Sequence, residues 1–120
     1  MSTEAGESRF VTLDVIAIVV SYHPDLSSLE DLLDALLPQV ATIMVVDNGS
    51  SVEIAAWSKH RYGNRVVVIP LGNNRGIAAA QNVGINWARN QGARYVVLFD
   101  QDSIPVFNTA TYLFDADALQ

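Results

Sequence analysis

The amino-acid sequence predicts an α/β fold, namely an open parallel sheet with helices on both faces. Four short segments rich in valine and isoleucine have the near-continuous apolar character of strands that are buried on both sides. Segments with helical spacing of apolar residues lie between them, and all the connections are short. This strict alternation of strand and helix is typical of a parallel sheet.

Each element has its own local signal. The first strand is an almost unbroken β-branched run that stops before Pro24, and the helix after it carries leucines at helical spacing and ends at Pro38. Gly84, inside the third helix, costs about 1 kcal/mol relative to alanine, so we expect a close-packing reason for it. The predicted strands are Leu13–Tyr22, Thr42–Val46, Arg65–Ile69 and Tyr95–Asp100, and the predicted helices are Ser27–Leu37, Val52–His60 and Ile77–Asn90.

Two regions are less regular. Asn48-Gly49 is a turn signal, and Ser50 or Ser51 is a candidate cap for the second helix. Thr109–Leu119 could form a short helix, although its apolar residues make no clean stripe. We therefore divide the chain into a flexible leader (1–12), an α/β domain (13–105) and a poorly defined C-terminal tail (106–120).

Composition narrows the function. The 120 residues are 50% hydrophobic and 17% charged, with a net charge of −6, so we expect one packed domain without nucleic acid as a partner. Cysteine is absent, which excludes disulfides and thiolate zinc sites in this sequence. No apolar run approaches the ~20 residues of a membrane span, and the acidic start is unlike a signal peptide. We expect a cytoplasmic protein.

Polar residues follow every predicted strand, at the sheet edge where α/β proteins bind ligands. The motifs of three common classes of α/β protein that bind ligands at this edge are absent from the sequence. There is no G-x-G-x-x-G after the first strand, no P-loop, and no acidic pair after the first strand as in phosphoacceptor domains. A glycine- and arginine-rich nucleotidyltransferase loop is also absent there. The strand-end segments are Tyr22–His23, Asp47–Ser50, Leu71–Arg75 and Asp100–Ser103.

The strand-end acids point to a nucleotide-diphosphate pocket. Asp100 and Asp102 repel each other, and a divalent cation that also bridges substrate phosphates would neutralise them. Asp47 could accept a hydrogen bond from a base or ribose, while Arg75 and the helix start at Gly76 offer positive potential.

Each of these features also has a simpler interpretation. The two acids suit a solvated loop, Asp47–Ser51 suits a turn with a cap, Asn73–Gly76 suits a helix entry, and His23 suits a strand end.

Four motifs, in order and in register, resemble glycosyltransferase family 2, the nucleotide-diphospho-sugar transferases of GT-A fold, and most of all its rhamnosyltransferase-like members. The resemblance covers about residues 13–105. The motifs are VVSYHPD (19–25), VVDNGSS (45–51), NNRGIAAAQNVGI (73–85) and VVLFDQDS (96–103).

The resemblance implies a metal-dependent, inverting transfer of a sugar from dTDP-rhamnose or a UDP-sugar to a glycan or lipid-linked glycan. It implies that Asp47 recognises the base and that Asp102, with Asp100, binds Mg²⁺ or Mn²⁺. The full set of donor-binding residues that we predict is Tyr22, His23, Asp47, Asn48, Asn74, Arg75, Gly76, Asn82, Asp100 and Gln101.

Three departures from the family pattern qualify this. His23 stands where asparagine is common, Gln81 stands where many members have arginine, and the family domain is about twice as long. We therefore expect the general base to lie beyond Gln120, no catalytic residue in this chain, and no transfer by these 120 residues alone. The full-length enzyme could be membrane-peripheral. The alternative function is a non-catalytic interaction module, self-associating as a homodimer through an exposed sheet edge.

Overall fold

The computed structural model describes residues 15–50 and 53–103, together with the backbone of residues 113–115. The predicted strands and helices are confirmed over these residues, with ends shifted by no more than two positions. Pro24 and Pro38 lie just outside the elements that they were expected to delimit. The elements are β1 (Val15–Ser21), α1 (Leu26–Leu36), β2 (Thr42–Asp47), α2 (Ile54–Tyr62), β3 (Val66–Pro70), α3 (Ile77–Asn90), β4 (Tyr95–Asp100) and β5 (Leu113–Asp115).

The strands form a sheet in the order β3-β2-β1-β4-β5. The first four are parallel, and β1 at the centre pairs with β2 on one side and β4 on the other. The chain therefore moves outward from β1 to β3 and then crosses back through α3 to place β4 on the opposite side of β1. This reversal leaves a crevice at the carboxyl ends of β1 and β4, the usual ligand position in such sheets.

Two apolar layers cover the sheet. Alternate residues of β1 point to opposite faces, so Ala17 and Val19 pack under α1 and α2, whereas Ile16 and Ile18 pack under α3. All four of these side chains are buried. The helices thus lie on both faces of the sheet, as the sequence predicts.

Helix α1 starts at a side-chain cap. The Asp25 carboxylate accepts hydrogen bonds from the Ser28 hydroxyl at 2.7 Å and from the Ser28 N–H at 3.1 Å. These hydrogen bonds hold the pKa of Asp25 below its usual value. The cap fixes where the chain turns after leaving the strand-end edge at Tyr22–His23.

Two expectations from the sequence were wrong. Residues 113–115 form a strand antiparallel to β4, not part of a helix over 109–119, because Tyr95–Val97 offers an unpaired outer edge. Ser50 does not cap α2, whose N-cap residue is Glu53 without a side-chain hydrogen bond. The Ser50 hydroxyl is instead bound to Asp47. Ser51 lies outside the described residues.

The close-packing role expected for Gly84 is confirmed and gives a stability prediction. A Cβ at this position would lie 2.5 Å from Ile18 Cγ2 and 3.2 Å from Val46 Cγ2, both in the buried core. We expect Gly84→Ala to lower the free energy of unfolding by up to about 2 kcal/mol, because overpacking costs about 1–3 kcal/mol and the gain in helix propensity offsets about 1 kcal/mol. Urea unfolding measures the change. Asn82→Ala, at an exposed position of the same helix, is the control, and a stabilised Gly84→Ala protein would contradict the prediction.

Candidate functional site

A cavity of about 430 Å³ opens at the crevice between the carboxyl ends of β1 and β4. Residues from three other strand-end segments join those of β1 there, so positions far apart in the chain line the same cavity. The lining residues are Val20, Ser21, Tyr22, Asn48, Asn74, Gly76, Ile77, Asp100, Gln101 and Asp102.

Asp47 is a buried residue that connects two of the strand-end segments. Its side chain is only 5% exposed. Its Oδ1 accepts hydrogen bonds from the Ser21 hydroxyl at 2.8 Å and from the Ser50 hydroxyl, and its Oδ2 accepts the Ser50 N–H at 3.0 Å. An ionised carboxylate has about four acceptor positions, so three are already used within the protein. The carboxylate therefore ties β1 to the β2 loop and keeps little capacity for a ligand.

Asn48 joins the β2 loop to the segment that enters α3. Its Oδ1 accepts the Arg75 N–H at 2.9 Å and its Nδ2 donates to the Gly76 carbonyl at 3.3 Å. Asn74 Oδ1 accepts the Gly76 N–H at 2.8 Å within the same segment. These three hydrogen bonds set the path of the backbone along one wall of the cavity.

Gly49 allows the two segments to touch. Its φ is +101°, and a Cβ there would lie 2.8 Å from Asn73 Cα and 3.1 Å from Asn74 N. Both the left-handed backbone and the close approach require glycine. The turn signal seen in the sequence is therefore also a packing requirement of the cavity wall.

The Arg75 side chain does not line the cavity. Its guanidinium donates to Asn73 Oδ1 at 3.2 Å and to the Leu71 carbonyl at 3.1 Å. The side chain is thus used to brace its own loop. The backbone N–H groups at the start of α3 add positive potential to that of the Arg75 charge.

Asp100 and Asp102 lie on the opposite wall, in a tight turn after β4. The Ser103 N–H donates to the Asp100 carbonyl at 3.0 Å, and the Ser103 hydroxyl accepts the Asp100 N–H at 2.9 Å. Both residues line the cavity and both are exposed. Neither forms an ion pair with an arginine or lysine among residues 15–50 and 53–103.

Gln101, between the two acids, bridges the strands across the crevice. Its Oε1 accepts the Tyr22 N–H at 2.6 Å and its Nε2 donates to the Tyr22 carbonyl at 3.0 Å. The backbone register of β1 with β4 ends one step earlier, at Val20 and Asp100. The side-chain amide therefore continues the pairing where the two backbones separate.

Two of the residues that line the cavity are large, hydrophobic and exposed. Tyr22 is 45% exposed and Ile77 is 51% exposed, and they are the large hydrophobic residues that stand out as exposed within the described ranges. Both line the cavity. Next to Tyr22, His23 has a φ of +46° and its N–H donates to the Ser50 hydroxyl at 2.7 Å. A positive φ outside glycine is uncommon and concentrates at functional sites.

The structure brings most, but not all, of the predicted site residues to the cavity. Its lining does not include Asp47, which is buried, nor His23, Arg75 and Asn82, which are exposed. The predicted residues that do line it are Tyr22, Asn48, Asn74, Gly76, Asp100, Gln101 and Asp102.

Sequence reasoning missed Val20, Ser21 and Ile77. Val20 and Ser21 stood inside the predicted strand Leu13–Tyr22, and no signal in that run marked them as cavity residues. Ile77 shares the helical stripe of Ala80, Gly84 and Ala88, which predicts burial. It is instead 51% exposed, at the first position of α3.

The donor set fits a cation that is shared with a ligand. Across residues 15–50 and 53–103, no group of three or more His, Cys, Asp or Glu side chains is placed to hold a metal. Two exposed carboxylates on one cavity wall nevertheless match the usual Mg²⁺ arrangement, in which one or two carboxylates combine with substrate phosphates.

Among the helices in the described part of the chain, none has the length and apolarity to cross a membrane.

Comparisons with known proteins agree on one family. The model of Glycosyl transferase family 2 matches residues 17–116. Over 90 residues the chain is 38% identical to the dTDP-rhamnosyl transferase RfbF of Shigella flexneri, a match that covers 75% of this chain and 30% of that protein. The chain thus spans under a third of that relative's length.

A solved structure shows the same fold. The crystal structure of 4-diphosphocytidyl-2C-methyl-D-erythritol synthase superimposes with a TM-score of 0.59 at 16% identity, over 74% of this chain and 46% of that one. The α/β fold of GT-A type that the sequence predicts is confirmed.

Proposed function

Because this chain belongs to glycosyl transferase family 2, we propose that it forms the donor-binding part of a rhamnosyltransferase-like enzyme, with dTDP-rhamnose as the preferred donor. The similarity to a dTDP-rhamnosyl transferase supports this sugar nucleotide over a UDP-sugar. The observation that carries the proposal is the cavity at the strand reversal, which combines two carboxylates without basic partners with an exposed apolar pair.

The two carboxylates suit the diphosphate end of the donor. Asp102 and Asp100 would hold Mg²⁺ or Mn²⁺, and the bound cation would neutralise the departing diphosphate. Two hydrogen bonds between Asp100 and Ser103 brace the backbone of the turn that carries these acids before a ligand arrives. Asn74 and Gly76 line the same cavity.

The apolar pair suits the nucleoside or sugar. Tyr22 and Ile77 expose ring and methyl surface that is costly to leave in water, and covering it with a thymine ring or deoxyribose would be favourable. Asp47 would act by holding the β1 and β2 ends together, with one acceptor position free for the base. We propose inverting transfer to a glycan for the whole protein, a reaction that also requires a general base.

Binding of dTDP with a divalent cation should stabilise the chain. At about ten times its Kd, a ligand specific for the folded state adds about 1.4 kcal/mol to the free energy of unfolding. We expect a rise of several degrees in Tm when dTDP and MnCl₂ are present together, and a smaller rise with either alone. Thermal melts followed by circular dichroism measure this, with GDP plus MnCl₂ as the specificity control. An unchanged Tm at millimolar dTDP and Mn²⁺ would contradict the proposal.

The alternative function as a self-associating module is not favoured by the family assignment. Homodimer formation stays a prediction, and strand β3 is the sheet edge at which it is best examined, since β4 is partly covered by β5. Sedimentation velocity at two protein concentrations, with and without dTDP and Mn²⁺, tests it.

A further inference from the structure

We infer that Gln101 is a positioning residue, which sets the spacing between Tyr22 on one wall of the cavity and the two carboxylates on the other. This inference rests on the proposed function and deepens it. It differs from the direct donor contact that the family resemblance suggested for Gln101. The primary observation is the pair of hydrogen bonds between one side-chain amide and both backbone polar groups of Tyr22.

The amide is already committed within the protein. A glutamine side chain offers one oxygen and two N–H groups, and here the oxygen and one N–H are used on Tyr22. The orientation of the amide is fixed by its partner, because a backbone N–H needs an acceptor and a carbonyl needs a donor. One N–H is left for a ligand, and the oxygen is turned toward Tyr22.

The two hydrogen bonds between Gln101 and Tyr22 lie just beyond the point where backbone pairing of β1 and β4 ends. Backbone pairing between β1 and β4 stops at Val20 and Asp100, and the crevice begins at that point. The Gln101 side-chain amide accepts from the Tyr22 N–H and donates to the Tyr22 carbonyl, as a backbone peptide of a neighbouring strand would. Without it, nothing among the described hydrogen bonds joins Tyr22 to the β4 turn.

Fixing Gln101 also fixes its neighbours. Asp100 and Asp102 are bonded directly to it in the chain, and Ser103 closes the turn from the other side. The turn that carries the carboxylates is thus held from outside by Tyr22 and from inside by Ser103. A cation site made of only two carboxylates depends strongly on their placement, and loss of a partner that orients ligands typically costs 10–100-fold in metal affinity.

Two substitutions separate positioning from direct ligation. Gln101→Met keeps the length of the side chain and removes both hydrogen bonds. Gln101→Glu keeps the acceptor for the Tyr22 N–H but, when ionised, cannot donate to the Tyr22 carbonyl. Gln91→Met and Gln91→Glu, at an exposed position after α3, are the matched controls for hydrophobicity and charge.

The measurement is the ratio of dTDP affinities with and without Mn²⁺, obtained by calorimetric titration. We expect both Gln101 variants to reduce this metal-dependent gain about tenfold or more, while the Gln91 variants keep it. A direct metal ligand would behave differently, since the added charge of Gln101→Glu would tighten the cation. A tighter cation in Gln101→Glu, or an unchanged gain in Gln101→Met, overturns the inference and leaves donor binding standing.

A second readout needs no ligand. The Tyr22 amide should be protected from hydrogen exchange in the wild-type protein and should exchange faster in Gln101→Met, while core amides of β1 keep their protection. If the Tyr22 amide is unprotected, or if the substitution does not change its exchange, the hydrogen bond from Tyr22 to Gln101 is contradicted. Absence of metal-dependent dTDP binding in the wild-type protein overturns the proposed function and the positioning role together.

Discussion

Asp102→Asn should remove the metal-dependent part of dTDP binding. The side chain keeps its shape and loses its charge, so a cation at the turn would lose half of the carboxylates that line the cavity there. We expect the apparent Mn²⁺ affinity in the presence of dTDP to fall by about a hundredfold or more, since loss of a mere orienting partner costs 10–100-fold. Calorimetric titration of Mn²⁺ into the protein with dTDP measures the change.

The effect should be confined to the cation. Asp102 is exposed and has no ion pair to a basic side chain in the described ranges, so the free energy of unfolding in the absence of ligand should stay within about 0.5 kcal/mol. Asp31→Asn, at an exposed position of α1, changes the same charge away from the cavity. Equal Mn²⁺ affinity in the Asp102 and Asp31 variants would refute the metal assignment.

Gly49→Ala should be among the most destabilising single substitutions in the chain. The alanine would have to keep a φ of +101°, at a cost of about 1–3 kcal/mol. Its Cβ would also meet backbone atoms of Asn73 and Asn74 at 2.8–3.1 Å, which forces the loop to shift and adds about 1–3 kcal/mol. We expect a total loss of about 2–6 kcal/mol by urea unfolding.

Gly72→Ala separates strain from contact. Gly72 has a φ of +85° but has no atom within 4 Å of the position where a Cβ would stand. Its substitution should therefore cost only the strain. If the two alanine variants were equally stable, the close approach of the β2 loop to Asn73–Asn74 would not matter energetically, and the cavity wall would be less rigid than the structure indicates.

The fold was predictable because its signals are local. The β-branched runs of β1 and β2, the leucine stripe of α1 and the small residues of α3 each specify an element without reference to the rest of the chain. The order of the strands in the sheet was not predicted, because none of these local signals says which strands pair. The strand at 113–115 was not predictable, because it is chosen by a free edge of β4 and not by its own pattern.

The site was predictable in place but less so in role. Motif reasoning located the acids and amides of the cavity, yet it treated Asp47, Asn48 and Gln101 alike as donor contacts. Their hydrogen bonds show Asn48 and Gln101 joined to neighbouring loops, and Asp47 buried with three acceptor positions used. A sequence motif records which residues are needed but does not distinguish a group that touches a ligand from one that holds the wall in place. Direct donor contacts by these residues remain predictions.

The long separation in sequence between Tyr22 and Gln101, 79 positions, has a consequence for the order of folding. The β1, α1 and β2 segments can meet early, since their contacts are close in the chain, whereas β4 must return past two completed units to reach β1. Contacts of this kind form late, because the conformational entropy of closing the long loop is lost before the contacts stabilise the chain. The cavity therefore forms only when β4 docks against β1. A bound nucleotide should slow unfolding of the chain while leaving its folding rate nearly unchanged.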